Sequence, residues 1–147
     1  MGAAFVLISG DSLSWPLVLA MLACSLLLVI GALAWRMELE GLKGNSGYAE
    51  RMLPGLARAR LPALALAAAS VPAAVFEQLR DGGWSPSAIA TAVLAALAVL
   101  EYVNYYMVQL QHFDHLADFR RLVSGRGFHE AHLAKALRRW RQGGNLS

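Results

Sequence analysis

The stretch from Trp15 to Trp35 contains no charged residue and carries a tryptophan at each end. A helix needs about 20 predominantly apolar residues to cross the hydrocarbon core of a bilayer, and tryptophan is enriched at both membrane–water interfaces. This stretch therefore predicts a membrane-spanning helix. Composition agrees, because only 16% of the 147 residues are charged, whereas a soluble domain carries about 25%.

Two further apolar blocks follow, from Leu61 to Leu79 and from Pro86 to about Leu110. Residues 36–60 are polar and predict a connection with a turn at Gly44–Gly47 and a short interfacial helix at 48–56. We therefore expect a single membrane domain over residues 1–147, an all-α integral membrane protein. It has three transmembrane helices, at about 15–35, 61–79 and 86–110, followed by a cytoplasmic amphipathic C-terminal helical hairpin at 111–142.

The basic residues predict the orientation of the chain. The segment before Trp15 has none, and the 80–86 turn has only Arg80. The other basic residues lie in the first connection (Arg36, Lys43, Arg51, Arg58, Arg60) and after Gln109 (Arg120, Arg121, Arg126, Lys135, Arg138, Arg139, Arg141). The positive-inside rule places the N-terminus outside and the C-terminus in the cytoplasm, and we expect residence in a bacterial inner (cytoplasmic) membrane.

Small residues recur at helical spacing in the second and third blocks. They are Ala63, Ala67, Ser70 and Ala74 in one block, and Ala88, Ala92, Ala95 and Ala96 in the other. Small residues let helix backbones approach closely in lipid. Because three spans make a thin bundle, these surfaces favour a homo-oligomer or a membrane-protein partner, although a GC-rich bacterial genome would also give many alanines.

A polar face interrupts the third block near its end. Glu101, Asn104, Tyr105 and Gln109 share this face with His112 and His115, and Glu101 lies roughly 22 Å along the helix from Pro86 at about 1.5 Å per residue. Acids at such a depth are costly and need a reason. The face is either a hydrogen-bonded interface that fixes helix packing or a polar site that handles protons or ions.

The four histidines form two pairs with a spacing of three residues, His112 with His115 and His129 with His132. This spacing puts two imidazoles on one helical face, which is a usable geometry for metal ligands. A four-histidine site would require the pairs to be out of register or to come from different subunits. The competing interpretation is solvated histidines at the level of the lipid headgroups.

The last helix is predicted to lie on the membrane surface. Lys135, Arg138, Arg139 and Arg141 would meet anionic lipid headgroups. The residues that would face the acyl boundary are Phe128, Leu133, Ala136, Leu137 and Trp140. Nothing in the segment adds base-reading features, so we expect no nucleic-acid partner.

Residues Phe5 to Leu13 resemble the strand and nucleophile block of the lipase and esterase family named for its Gly-Asp-Ser-Leu motif, which would make Ser12 the nucleophile. The resemblance covers about nine residues. The family's Asp-x-x-His pattern is missing, and a chain of spanning helices does not build the family's α/β sandwich.

Two classes of function remain. The first is a non-enzymatic accessory or scaffold subunit that oligomerises or docks on a larger membrane complex. The second is a small membrane enzyme or proton- or ion-handling element that uses Glu101, Tyr105, Gln109 and His112. We favour the first, because active membrane sites combine acids and bases from several helices, and the first two blocks offer only Glu77, near the opposite face of the membrane. The sequence leaves enzymatic activity, cofactor and ligand open.

Overall fold

The computed structural model describes residues 13–83, 85–108 and 130–143. All regular secondary structure in these ranges is helical. The helices are α1 (Trp15–Leu42), α2 (Ser46–Arg80), α3 (Pro86–Tyr106) and α4 (His132–Gly143). The first three are long and apolar enough to cross a membrane, which confirms the expected helical class and the three candidate spans.

Serine hydroxyls cap the first and third helices. The amide of Leu17 donates to Ser14 Oγ at 3.3 Å, and the amide of Ala88 donates to Ser85 Oγ at 3.1 Å. A side-chain oxygen at this position satisfies an amide that has no partner inside the helix. Pro86 takes the first helical position, where a missing N–H costs nothing.

The connection between α1 and α2 is much shorter than the polar segment 36–60 suggests. The turn at Gly44 has a left-handed φ of 82°, and its amide and that of Asn45 bond back to the carbonyls of Gly41 and Glu40. These two bonds form a Schellman cap. Charged residues such as Arg36 and Glu38 are good helix formers, so the helices run on past the apolar blocks.

Helix α3 ends at Tyr106. The amides of Met107 and Val108 both bond to the carbonyl of Val103, at 3.0 and 2.9 Å, so the chain leaves the regular helical pattern there. An isolated antiparallel bridge then joins Val108 to Glu130. The predicted end of the third span at Leu110 and most of the predicted tail lie outside the described residues.

The chain divides into two compact units, each of which takes part of the three long helices. Among the described residues, the first contains those up to Ile30 and those of Ala59–Glu101. The second contains Gly31–Arg58 and the described residues from Tyr102 onward.

Small residues fill the interior of the first unit. Ala63, Ala67, Ser70 and Ala74 of α2 are all buried, as are Ala88 and Ala95 of α3, while Ala92 is half-buried and Ala96 is exposed. Close approach of small side chains is how helices pack without a hydrophobic drive in lipid. Most of the stripe from which we expected oligomerisation thus packs inside one chain.

The second unit is held by a tyrosine and two buried leucines. Tyr106 Oη donates to the carbonyl of Leu56 at 3.0 Å, and the ring of Tyr106 lies 5.2 Å from that of Tyr102. Leu133 and Leu137 of α4 are both 4% exposed. These two leucines therefore face protein atoms. Their spacing in the sequence had predicted that they would face the acyl boundary, so that prediction is wrong for these two residues.

Candidate functional sites

A fully buried carboxylate is the most constrained polar group of the first unit. Glu77 is 0% exposed, and its Oε1 accepts a 2.6 Å hydrogen bond from Ser87 Oγ. The guanidinium of Arg80 approaches the same oxygen at 3.6 Å, and Oε2 has no hydrogen-bond partner among the described residues. Ser87 and Arg80 together compensate a charge that would be very costly alone in an apolar interior.

The chain next to this carboxylate carries a second acid at the surface. Asp81 accepts hydrogen bonds from Ser85 Oγ at 2.6 Å and from Arg80 Nε at 3.1 Å. The Ser85 hydroxyl, followed by the Arg80 guanidinium, lowers the pKa of Asp81 below its ordinary value, because both donors favour the ionised form.

Glu101 belongs to the first unit, while Asn104 and Tyr105 belong to the second. Glu101 is half-buried, and its Oε2 is buried without a hydrogen-bond partner in the described part of the chain. Gln109, the last member of the predicted polar face, lies outside the described residues.

A cavity of about 280 Å³ opens in the second unit. Its polar lining consists of Glu38, Asn104, Tyr105 and His132. Glu38 and His132 are well exposed, and His132 Nδ1 lies 3.6 Å from Glu38 Oε1, which is too long for a hydrogen bond. Two members of the predicted polar face therefore line this cavity with a histidine of the predicted metal set.

The remaining wall of the cavity is apolar. It is made by Ala34, Trp35, Met37, Leu42, Leu133 and Ala136. Pockets that bind small molecules are mostly apolar with a few placed polar groups, and they measure about 300–1,000 Å³. The cavity is close to the lower end of that range, so it is large enough for a small ligand or for part of a larger one.

Gly31 determines where Tyr105 lies in the second unit. A Cβ atom added to Gly31 would overlap the phenol of Tyr105 and would lie 2.9 Å from its Cε2. A side chain at position 31 would thus displace Tyr105 from its place in the cavity wall.

Of the four histidines, only His132 lies among the described residues. His132 lies beside Glu38, while His112, His115 and His129 lie outside the described residues, as does Ser12. No group of three or more potential metal ligands occurs within ranges 13–83, 85–108 and 130–143. The four-histidine arrangement stays a prediction.

The basic residues of α4 differ in their surroundings. Arg138 pairs with Glu130 at 2.9 Å. Lys135 is half-buried, and Arg139 and Arg141 are exposed.

Sequence reasoning missed the pairing of Glu77 with Ser87. The sequence did contain a signal for this pairing. Ser87 follows Glu77 by ten positions, with a tight turn between them, so both residues lie at the same end of two adjacent helices. The polar pattern around Glu101 in the third block predicted a site there, whereas no pattern along the second block predicted a partner for Glu77.

Comparison of the chain with protein families, curated proteins and solved structures finds no match.

Proposed function

We propose that the chain is an integral protein of a bacterial inner membrane that serves as a non-catalytic accessory subunit. In this proposal α1, α2 and α3 span the bilayer, with the N-terminus outside and the C-terminus in the cytoplasm. The subunit associates through the Glu101 region of α3 with a second copy or with a larger membrane complex.

The membrane assignment is supported by how little of each helix the chain itself covers. In the most apolar stretch of α1, α2 and α3, 39%, 28% and 33% of the residues are buried. The rest of the surface carries large apolar side chains such as Leu28, Val75 and Val93, each more than half exposed. Apolar patches beyond a few hundred Å² on a protein surface mark membrane or protein contacts.

The observation that carries the accessory role is the buried Oε2 of Glu101, which has no hydrogen-bond partner among the described residues. A carboxylate oxygen in an apolar environment without a donor is costly, and Glu101 is only half-buried. Rotation of the terminal carboxylate exchanges its two oxygens, so a donor from a neighbouring polypeptide can reach it. The small-residue stripe no longer supports association, because most of it is buried inside the chain.

The basic residues support the orientation and a contact with anionic lipid. Arg139 and Arg141 of α4 are exposed, and each basic residue near an acidic leaflet adds about 1 kcal/mol of attraction. In this proposal α4 contributes charge to the membrane surface while Leu133 and Leu137 hold it to the protein. Reporter fusions at the two termini test the orientation.

The experiment that tests the accessory role compares Glu101→Gln with Glu50→Gln. Glu50 is an exposed glutamate of α2 and serves as the matched control. The mass of the detergent-solubilised protein is measured alone and after gentle pull-down from native membrane. We expect a discrete oligomer or a stoichiometric partner for the wild type and for Glu50→Gln.

For Glu101→Gln we expect association to weaken by about tenfold or more, because a hydrogen bond to a charged group contributes about 1.5–3 kcal/mol. Unchanged assembly of this variant contradicts the proposal. Intact assembly with a lost host activity favours the proton- or ion-handling alternative.

A further inference from the structure

We propose that the cavity of the second unit binds one phospholipid whose headgroup carries an ammonium group. This inference rests on the proposed membrane location and not on the accessory role, and it assigns a ligand class to a site made by α1, α3 and α4. Two observations carry it: where the cavity lies along α1, and which groups lie at its rim.

The cavity follows the boundary between the apolar and the polar part of α1. Ala34 and Trp35 close the uncharged stretch from Trp15 to Trp35, whereas Glu38 and Leu42 come after Arg36, the charged residue that follows it. On α1 the lining therefore offers one carboxylate, that of Glu38, beyond the uncharged stretch, and its other members are apolar. In a membrane protein, molecules that combine an apolar part with a charged group at that depth are lipids.

The rim favours a cationic headgroup. The Glu38 carboxylate is 57% exposed, so a ligand headgroup can reach it. Trp35 is 67% exposed in the same wall, and an indole face attracts an ammonium group. The carboxylate and the indole thus offer two complementary contacts to one cation.

Three basic residues of the flanking elements contact other groups, and Lys135, Arg139 and Arg141 of α4 are not among the lining residues of the cavity. Lys43 pairs with Glu40 at 3.2 Å, and Arg138 pairs with Glu130 at 2.9 Å. Arg36 lies 5.5 Å from the centre of the Tyr48 ring. Among the lining residues His132 is the one nitrogen base, and its exposed ring beside Glu38 is placed to donate to the phosphate of the same headgroup.

The test is native mass spectrometry of the delipidated full chain in detergent. Phosphatidylethanolamine and phosphatidylglycerol with identical acyl chains are added separately, because they share a phosphate and differ in the ammonium group. We expect the wild type to retain one phosphatidylethanolamine molecule and to bind it more tightly than phosphatidylglycerol. Equal affinities overturn the headgroup assignment.

Two glutamates of α1 provide the matched pair of variants. Glu38→Gln should weaken phosphatidylethanolamine binding about fivefold, the upper end for an exposed ion pair. Glu40→Gln should leave it unchanged, because Glu40 is bound to Lys43 and Asn45 and does not line the cavity. Equal effects of the two variants overturn the proposal.

A third variant fills the space itself. Ala136→Phe places a ring in the cavity wall and should abolish retention of the single lipid, while circular dichroism reports that the helices are intact. Retention of the lipid by a helical Ala136→Phe protein places it elsewhere on the surface and overturns the proposal.

Discussion

Replacing Ser87 with alanine tests the energetics of the buried carboxylate. The substitution removes the 2.6 Å hydrogen bond to Glu77 Oε1. Arg80 then remains at 3.6 Å, beyond hydrogen-bond range, so neither oxygen of a 0% exposed carboxylate has a hydrogen bond within the described residues. The wild-type bond is therefore the main local compensation for burying this group.

The expected contribution of this hydrogen bond to the free energy of unfolding is larger than that of an ordinary side-chain hydrogen bond between membrane helices. Hydrogen bonds to charged groups contribute about 1.5–3 kcal/mol, whereas side-chain bonds between membrane helices average about 0.6 kcal/mol. We expect Ser87→Ala to lower the free energy of unfolding by about 1.5–3 kcal/mol. A loss near about 1.5 kcal/mol, the lower end of that range, would mean that Glu77 relaxes toward another donor.

Ser70→Ala is the matched control. Ser70 is also 0% exposed, and its hydroxyl donates to the carbonyl of Ala67 at 2.8 Å in its own helix. The carbonyl of Ala67 also accepts a backbone hydrogen bond within the helix. It therefore keeps a hydrogen bond when the Ser70 hydroxyl is removed. We expect a change of no more than about 0.6 kcal/mol.

The assay is unfolding in mixed micelles of mild detergent and dodecyl sulfate, followed by far-ultraviolet circular dichroism. The Glu77→Gln background completes a double-mutant cycle, for which we expect a coupling of about 0.5–3 kcal/mol between positions 77 and 87. The reasoning is refuted if Ser87→Ala costs no more than Ser70→Ala, or if its cost is the same in both backgrounds.

Two further predictions concern glycine and pH. Gly31→Ala should lower the free energy of unfolding by about 1–3 kcal/mol, because the new methyl group overlaps Tyr105. Gly41→Ala, with nothing within 4 Å of the added atom, should raise it by up to about 1 kcal/mol; equal effects in the same micelle assay contradict the packing argument. The lowered pKa of Asp81 stabilises the folded state above the ordinary aspartate pKa of 3.8, and this contribution is lost as the pH falls through the lower folded-state value. Asp81→Asn should therefore flatten the acid limb of a stability titration from pH 5 to pH 2, and an unchanged limb would show that the Ser85 and Arg80 contacts do not persist in solution.

The lengths of the apolar stretches predicted that the helices exist, but they did not predict where the helices end. The uncharged stretch to Trp35 located a candidate span, but α1 continues to Leu42. The boundary of an apolar stretch reports where a membrane ends, whereas a helix ends where backbone geometry changes, here at Gly44 with its left-handed φ. The glycine-containing turn signal was the better guide to the connection.

The candidate sites were harder to predict because they combine distant segments. Asn104 and Tyr105 were identified from the third block alone, but their neighbours in the cavity wall, Glu38 and His132, come from either side in the chain. A helical pattern fixes which residues share a face and leaves open which face of another helix it meets. The same limit hid the partner of Glu77.

Two hydrogen bonds that join α2 to α3 differ fivefold in chain separation, and this difference implies an order of assembly. The bond from Ser87 to Glu77 closes ten residues, and the bond from Tyr106 to Leu56 closes fifty. The entropy of loop closure favours the shorter one by about 1.4 kcal/mol. We therefore expect the bond across the short connection to form first and the tyrosine bond to follow it.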